Sequence, residues 1–256
     1  MNLDLDKALS VARNAALAAG ELIDHYYARG VDVRIKPDAT PVTQADEDSE
    51  RVIRDILSAA YPEHAIYGEE GGTSGSGNYL WLVDPIDGTK SFVRGYPFFS
   101  TQIALMYRGE LLLGVSHASA FRETAWARRG GGAYLNGKPC KIADTCDWSK
   151  ATLSTGNLKT LASGAGWQSL ANLVRGAHRT RGYGDFYHYH LLASGRIDLI
   201  IESDVNILDI AALTVIVREA GGVFTDLRGA DIDLNTTSVL AGTAALHAQV
   251  LPQFGK

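Results

Sequence analysis

Between residues 151 and 225 the sequence switches repeatedly between strand-like and helix-like apolar patterns, and this alternation limits the fold more than any other feature. A strand at 151–154 is followed by helical patterns at about 161–174 and 185–194. A strand at 197–201 then leads into a helix at about 207–220 and a last strand at 223–225. Such an order predicts a layered α/β architecture, because each element has to bury an apolar face against a neighbouring layer. Two helices come first in the chain. One, at about 5–28, carries Ala8, Val11, Ala12, Ala15, Leu22 and Ile23 in helical period. The other starts at Thr43, where Thr-Gln-Ala-Asp resembles a capping box, and presents Val52, Ile53, Ile56 and Leu57 before Pro62 ends it. Strand patterns fill the middle, at 65–67, 79–83, 98–107, 111–117 and 124–127, with tight turns at Arg108-Gly109 and Asn136-Gly137. The Gly/Ser-rich loop at 73–78 is too short for a linker, so one domain over 1–256 is expected, with sub-domains of approximately 1–145 and 146–256.

Composition removes several function classes. Lys and Arg number 24 against 29 Asp and Glu, a net charge of −5, and the one dense basic stretch, Arg175 to Arg181, is short. Nucleic-acid binding needs a concentrated basic surface. No apolar run reaches the ~18 residues of a membrane span. The N-terminal MNLDLDKALS lacks a basic region followed by an apolar run, and a cytoplasmic location is expected. The two cysteines, Cys140 and Cys146, have no matching His/Cys array, so neither a zinc site nor a disulfide is expected. Gly130-Gly131-Gly132 lacks the Lys-Ser/Thr of a nucleotide loop, and no segment meets the dinucleotide-binding pattern.

The informative residues are acids at the ends of elements. Glu69 and Glu70 follow one strand and Asp84 and Asp87 another, while Asp209 opens a helix that is otherwise apolar through Ile207, Leu208, Ile210, Ala211, Ala212 and Leu213. A carboxylate among such neighbours is costly to bury unless paired or bound to a cation. Pro85 sets a turn that can aim Asp84 and Asp87 at one point. Hard cations such as Mg²⁺ take oxygen ligands of this kind together with substrate phosphate. Gly88-Thr89 adds exposed N–H groups and a hydroxyl suited to a phosphate at a helix start. Singly, each acid is ordinary turn or cap chemistry; together they point to a metal-dependent phosphate site.

The segments GEEGG, WLVDPIDGTKSFVRGYPFF and LDIAALTVIVREAGG resemble the signatures of the inositol monophosphatase superfamily of Mg²⁺-dependent phosphatases, in order and spacing over nearly the whole chain. Within it, KPDATPVTQAD, DPIDGTKSFVRG and RGYGDFYHYHLLASGRIDL look most like the histidinol-phosphatase branch of histidine biosynthesis. The resemblance implies an α-β-α-β-α layered sandwich and two to three Mg²⁺ ions. Glu69, Asp84 and the Ile86 carbonyl match the first metal's ligands. Asp84, Asp87 and Asp209 match the second's, and Glu69 with water a weaker third. Asp46 and Thr89 match the pair that positions and deprotonates the attacking water, with Glu70 a nearby acid. Substrate contacts are implied for Ile86, Asp87, Gly88, Thr89, Asp185, Glu202 and Asp209. A homodimer is also implied, to which the apolar Phe98-Phe99 segment is a candidate contributor. One departure is Leu208, where the family often has Trp.

Asp185 bears on the substrate. Histidinol phosphate carries an ammonium and an imidazole that a carboxylate favours, whereas inositol offers neutral hydroxyls. Asp185 can equally serve as the cap of the helix that follows. Inositol-1-monophosphatase, or a broad-specificity sugar or nucleotide phosphatase of the same family, remains the alternative activity. His188 and His190 point about 200° apart on a helix and do not form a metal box. Arg94 reads as a surface charge, and Trp81 as core.

Overall fold

The computed structural model describes residues 3–30, 33–35 and 41–254 of the protein; the Lys36–Thr40 part of KPDATPVTQAD lies outside the described residues. Helix α1 (Leu5–Arg29) starts where the Asp4 carboxylate accepts the N–H groups of Asp6 and Lys7. Its stripe of Ala8, Ala12, Ala15, Ala16 and Ala19 is completely buried, small enough for close approach to its neighbours. Strands β1 (Val33–Ile35) and β2 (Pro41–Thr43) pair antiparallel and lead into α2 (Gln44–Ala60).

The larger sheet has eight strands: β3 (Ala65–Gly68), β4 (Gly72–Ser74), β5 (Tyr79–Asp87), β6 (Ser100–Tyr107), β7 (Glu110–Ala118), β8 (Glu123–Arg128), β9 (Ala133–Leu135) and β10 (Lys138–Cys140). Their spatial order is β10-β9-β8-β7-β6-β5-β3-β4, antiparallel except between β3 and β5, and the short α3 (Thr89–Val93) follows β5. The smaller sheet contains β11 (Thr152–Thr155), β12 (Arg179–Arg181), β13 (Leu199–Ser203), β14 (Val223–Thr225) and β15 (Ser238–Gly242), in the order β12-β11-β13-β15-β14. The remaining helices are α4 (Lys159–Ala162), α5 (Gly166–Gly176), α6 (Asp185–Ala193), α7 (Ile207–Glu219) and α8 (Ala244–Val250).

Strand alternation explains the layering. Along β5 and β6, Trp81, Val83, Ile103 and Leu105 face α1 and α2, while Leu82, Ala104 and Met106 face the other way, onto α7. Along β13 and β15, Ile200, Val239 and Ala241 join that same inner core, while Leu199, Ile201 and Leu240 pack with Leu161, Leu170, Leu173 and Leu246 of α4, α5 and α8. Both sheets are covered on both faces, giving the expected α-β-α-β-α sandwich. Helix α7 is apolar on every side because it lies between the sheets. It sits so close to β7 that a Cβ on Gly114 would come within 2.6 Å of the Ala212 Cα.

Three local features differ from expectation. The helix expected at 161–174 is two helices, α4 and α5, broken at Ser163-Gly164. The basic stretch after Arg175 contains an edge strand, β12, whose exposed Arg179 and Arg181 are typical edge protection. The strand at 79–83 runs on to Asp87. Trp81 is core, as expected, and Phe99 is too (1% exposed), so Phe99 offers nothing to an interface; Phe98 packs on Phe121 and Tyr187. No disulfide joins Cys140 and Cys146, and among the described residues no helix is long and apolar enough to cross a membrane.

Candidate metal and phosphate site

Strand β5 pairs Asp84 with Gln102 and then Asp87 with Ser100, three steps on one strand against two on the other. The extra residue is a bulge at Pro85-Ile86, where proline has no N–H to give the ladder. Residues three apart on a regular strand face opposite sides; one inserted residue turns Asp84 and Asp87 to the same side. The chain then reverses at Gly88, whose φ of +88° and closeness to the Phe98 carbonyl both exclude a side chain. Helix α3 starts at once: the Ser91 and Phe92 N–H groups close on the Gly88 carbonyl at 2.8 and 3.0 Å, and those of Thr89 and Lys90 precede the helix's own bonding.

Asp209 arrives from α7. Its Oδ2 accepts the Asn206 N–H and its Oδ1 the Asn206 side-chain amide, both at 2.8 Å, which locks the carboxylate at the helix start. Leu208, in the place of the family's Trp, is buried in the core beside it. One carboxylate oxygen from each of Asp84, Asp87 and Asp209 lies within 4.8 Å of the others.

Burial, and then the surrounding acids Glu69, Asp87 and Asp209, push the Asp84 carboxyl well above its usual range. Burial and Asp209 do the same to Asp87, and burial raises Asp209 to about 7. Asp84 Oδ1 is buried with no hydrogen-bond partner. A buried carboxylate with one oxygen lacking a donor, grouped with two more carboxylates, fits a hard divalent cation.

These residues open onto a cavity of about 210 Å³ that Glu69, Ile86, Gly88, Thr89 and Asp185 also line. Asp46 adjoins it. The Thr43 N–H and hydroxyl both donate to Asp46 Oδ2, at 2.8 and 2.6 Å, completing the expected capping box. Asp46 Oδ1 is left to the Thr89 hydroxyl at 3.3 Å, and that hydroxyl also lies 3.0 Å from the Ile86 carbonyl. Burial raises the Asp46 carboxyl despite the Thr43 donors. Glu70 is not among the lining residues. Its N–H donates to Glu50, as does that of Gly71, while Arg54 pairs with Glu50 at 2.6 Å. Glu50 and Arg54, which shape the Glu69–Gly71 turn, escaped sequence reasoning, although Asp46, Glu50 and Arg54 recur every four residues on one face of α2.

Glu202 lines a narrower recess of about 20 Å³, shared with Asp87, Asp185 and Asp209. Asp185 does not cap its helix: it is the first helical residue, at φ +46°, and no helix N–H is among the groups that act on its carboxylate. Burial first, then Glu202, raises Asp185 to about 6. Asn157 and Lys90, also missed from sequence, complete the walls. His188 and His190 point to different sheets, His188 towards Ser154 and Glu202 and His190 towards Ser116 and Glu123. Neither joins the acid group. Arg94 is exposed.

A larger cavity, about 430 Å³ beside Leu80, Met106 and Leu234, holds no comparable cluster of acids.

Residues 4–256 match the inositol monophosphatase family model. A histidinol-phosphatase of Chlorobaculum parvum is 35% identical over 257 residues, covering 100% of this chain and 98% of that one. An inositol-1-monophosphatase of Rhizobium meliloti is also 35% identical, covering 91% of each. The crystal structure of the extragenic suppressor protein suhB from Bartonella henselae superposes with a TM-score of 0.90 at 29% identity, covering 98% of this chain and 99% of that one. With the acids, the sandwich and the match over almost the full length in agreement, the chain belongs to the inositol monophosphatase family and is a metal-dependent phosphoric monoester hydrolase.

Proposed function

We propose that the protein is a Mg²⁺-dependent histidinol-phosphate phosphatase. The carrying observation is Asp185: its carboxylate is spent on no helix cap and lines the cavity beside the acid group. An ammonium or imidazole donor matches it through a charge-assisted hydrogen bond that neutral inositol hydroxyls do not offer. The name of the Chlorobaculum parvum relative points the same way.

Glu69, Asp84, the Ile86 carbonyl, Asp87 and Asp209 would hold the Mg²⁺ ions. When bound, Mg²⁺ supplies positive charge against the phosphoryl oxygens and acidifies water. The protein's own groups do the rest. The Gly88 and Thr89 N–H groups receive phosphate oxygens. Thr89 orients the attacking water and passes a proton to Asp46 Oδ1, the oxygen that Thr43 leaves open. Its raised affinity for a proton makes Asp46 the better base. Asp185 and Glu202 orient the organic part of the ester.

The test is phosphate release from histidinol phosphate and inositol-1-phosphate side by side. The expected result is a clear preference for histidinol phosphate that Asp185→Asn lowers by about tenfold to a hundredfold. A preference for the inositol ester overturns the substrate assignment.

A further inference from the structure

Behind the candidate substrate acids lies a buried polar chain that catalysis does not use. Glu202 on β13 is 2% exposed, and its carboxylate is held from three sides. Oε1 accepts the Asn157 N–H at 3.1 Å; Oε2 accepts the Tyr189 hydroxyl at 2.8 Å and faces His188 Nε2 at 3.2 Å. His188 is completely buried, and its other nitrogen, Nδ1, lies 3.3 Å from Ser154 Oγ. That hydroxyl oxygen also takes the Tyr183 N–H at 3.4 Å.

The donors set the direction of the chain. The Ser154 hydroxyl accepts from the Tyr183 N–H and has its own proton to offer to His188 Nδ1. In the tautomer in which Nδ1 accepts, Nε2 carries the proton and donates it to Glu202. All three groups on Glu202 are therefore donors. They fix where the carboxylate points. Oriented in this way, Glu202 faces the same narrow recess as Asp185. On the opposite side it presses against Gly156, where any side chain would collide with it. An apolar residue would fill the His188 site as well by volume; what histidine adds is one directed N–H and an anchor on Ser154.

We propose that His188 is a positioning residue: held by Ser154, it orients Glu202 towards the recess so that Glu202 and Asp185 together receive the cationic group of the phosphate ester. This rests on the cationic-substrate reading above.

The test measures kcat and KM of the Mg²⁺-loaded enzyme for histidinol phosphate and for a neutral ester, glycerol 2-phosphate, with melting temperature alongside. His188→Leu is expected to raise KM for histidinol phosphate about tenfold while KM for the neutral ester moves less than about twofold. His188→Gln, whose side-chain N–H can still reach Glu202, restores most of the loss, and Ser154→Ala gives an intermediate KM. Equal KM increases for both esters, a common fall in kcat, or no change in either KM overturns the proposal by reducing His188 to packing. If His188→Leu does not fold, Ser154→Ala decides: a wild-type KM for histidinol phosphate overturns the proposal. A wild-type enzyme that does not discriminate between the esters removes the substrate reading, and this proposal with it. Discrimination retained in His188→Leu removes this proposal alone.

Discussion

Asp84, at the bulged end of β5, and Asp209, in the first turn of α7, come from opposite halves of the chain, yet with Asp87 their carboxylate oxygens lie within 4.8 Å of one another. Without a cation this arrangement opposes folding. Asp84→Asn is therefore expected to lower hydrolysis by at least about 10²–10³-fold, the scale of losing one preorganised electrostatic partner. It should leave the melting temperature without Mg²⁺ equal or higher, because it removes repulsion and breaks no hydrogen bond of Asp84 Oδ1. Added Mg²⁺ should raise the wild-type melting temperature and hardly move that of the variant. Retained turnover with Mg²⁺ contradicts the site assignment.

Thr89 and Thr43, which contact opposite oxygens of Asp46, should separate by kinetics. Thr89→Ala is expected to lower kcat by about 10²-fold or more with little change in KM, and Thr89→Ser to recover much of it, since only the hydroxyl is needed. Thr43→Ala removes the cap of α2 and both side-chain contacts on that end. It should cost about 1 kcal/mol, read as a fall in melting temperature of about 2–4 °C. Equal kinetic losses in Thr43→Ala and Thr89→Ala would deny Thr89 its special role.

The pH dependence follows from the raised carboxyls. Burial holds Asp185 at about 6 and Asp209 at about 7, above the ordinary value of about 4 in an unfolded chain. Between those limits the folded protein binds more protons than the unfolded one. Their stabilising share is complete below pH of about 4 and is lost as pH rises through 6 and then 7. His190, lowered by burial, acts with the opposite sign, gaining stability as pH rises, so single-site variants carry the test. Mg²⁺ needs ionised carboxylates, so binding near pH 6 should release protons and tighten towards neutrality. Calorimetry in buffers of different ionisation enthalpy reads this directly; no proton release in wild type, or the same release in Asp209→Asn, contradicts it.

A second buried chain supports Asp87 from behind. Ser100 Oγ lies 3.4 Å from Asp87, Gln102 joins Ser100 to Ser116 at 2.8 and 3.1 Å, and Ser116 meets His190 Nε2 at 2.9 Å. Ser116→Val leaves both Gln102 and His190 short of a partner in a dry core. The expected cost is about 1–3 kcal/mol, or roughly 2–4 °C of melting temperature for each kcal/mol. Unchanged stability would show that the chain carries no structural weight.

The acids were legible because each sits beside a residue that dictates backbone shape: Pro85 before Ile86-Asp87, Gly88 after it, Asn206 three before Asp209. The capping box at Thr43 was legible for the same local reason. Glu50 and Arg54 were not, since on a helix they read as an ordinary exposed charge pair and only the returning Glu69–Gly71 turn gives them work. Asp185 was ambiguous between cap and ligand, because the answer lies in a backbone angle of +46° that composition does not encode. The break at Ser163-Gly164 and the strand β15 depended on long-range packing against β13 rather than on local pattern.

The near-contact between Gly114 and Ala212 reaches further than core packing. Main chain rests on main chain there, so α7 cannot move closer to the larger sheet by repacking a side chain, and backbone sets how near Asp209 can come to Asp84 and Asp87. Mg²⁺ binds oxygen at about 2.0–2.1 Å and Ca²⁺ at about 2.3–2.6 Å. A cation between those carboxylates would meet a limit on their closest approach set by a helix seated on a sheet.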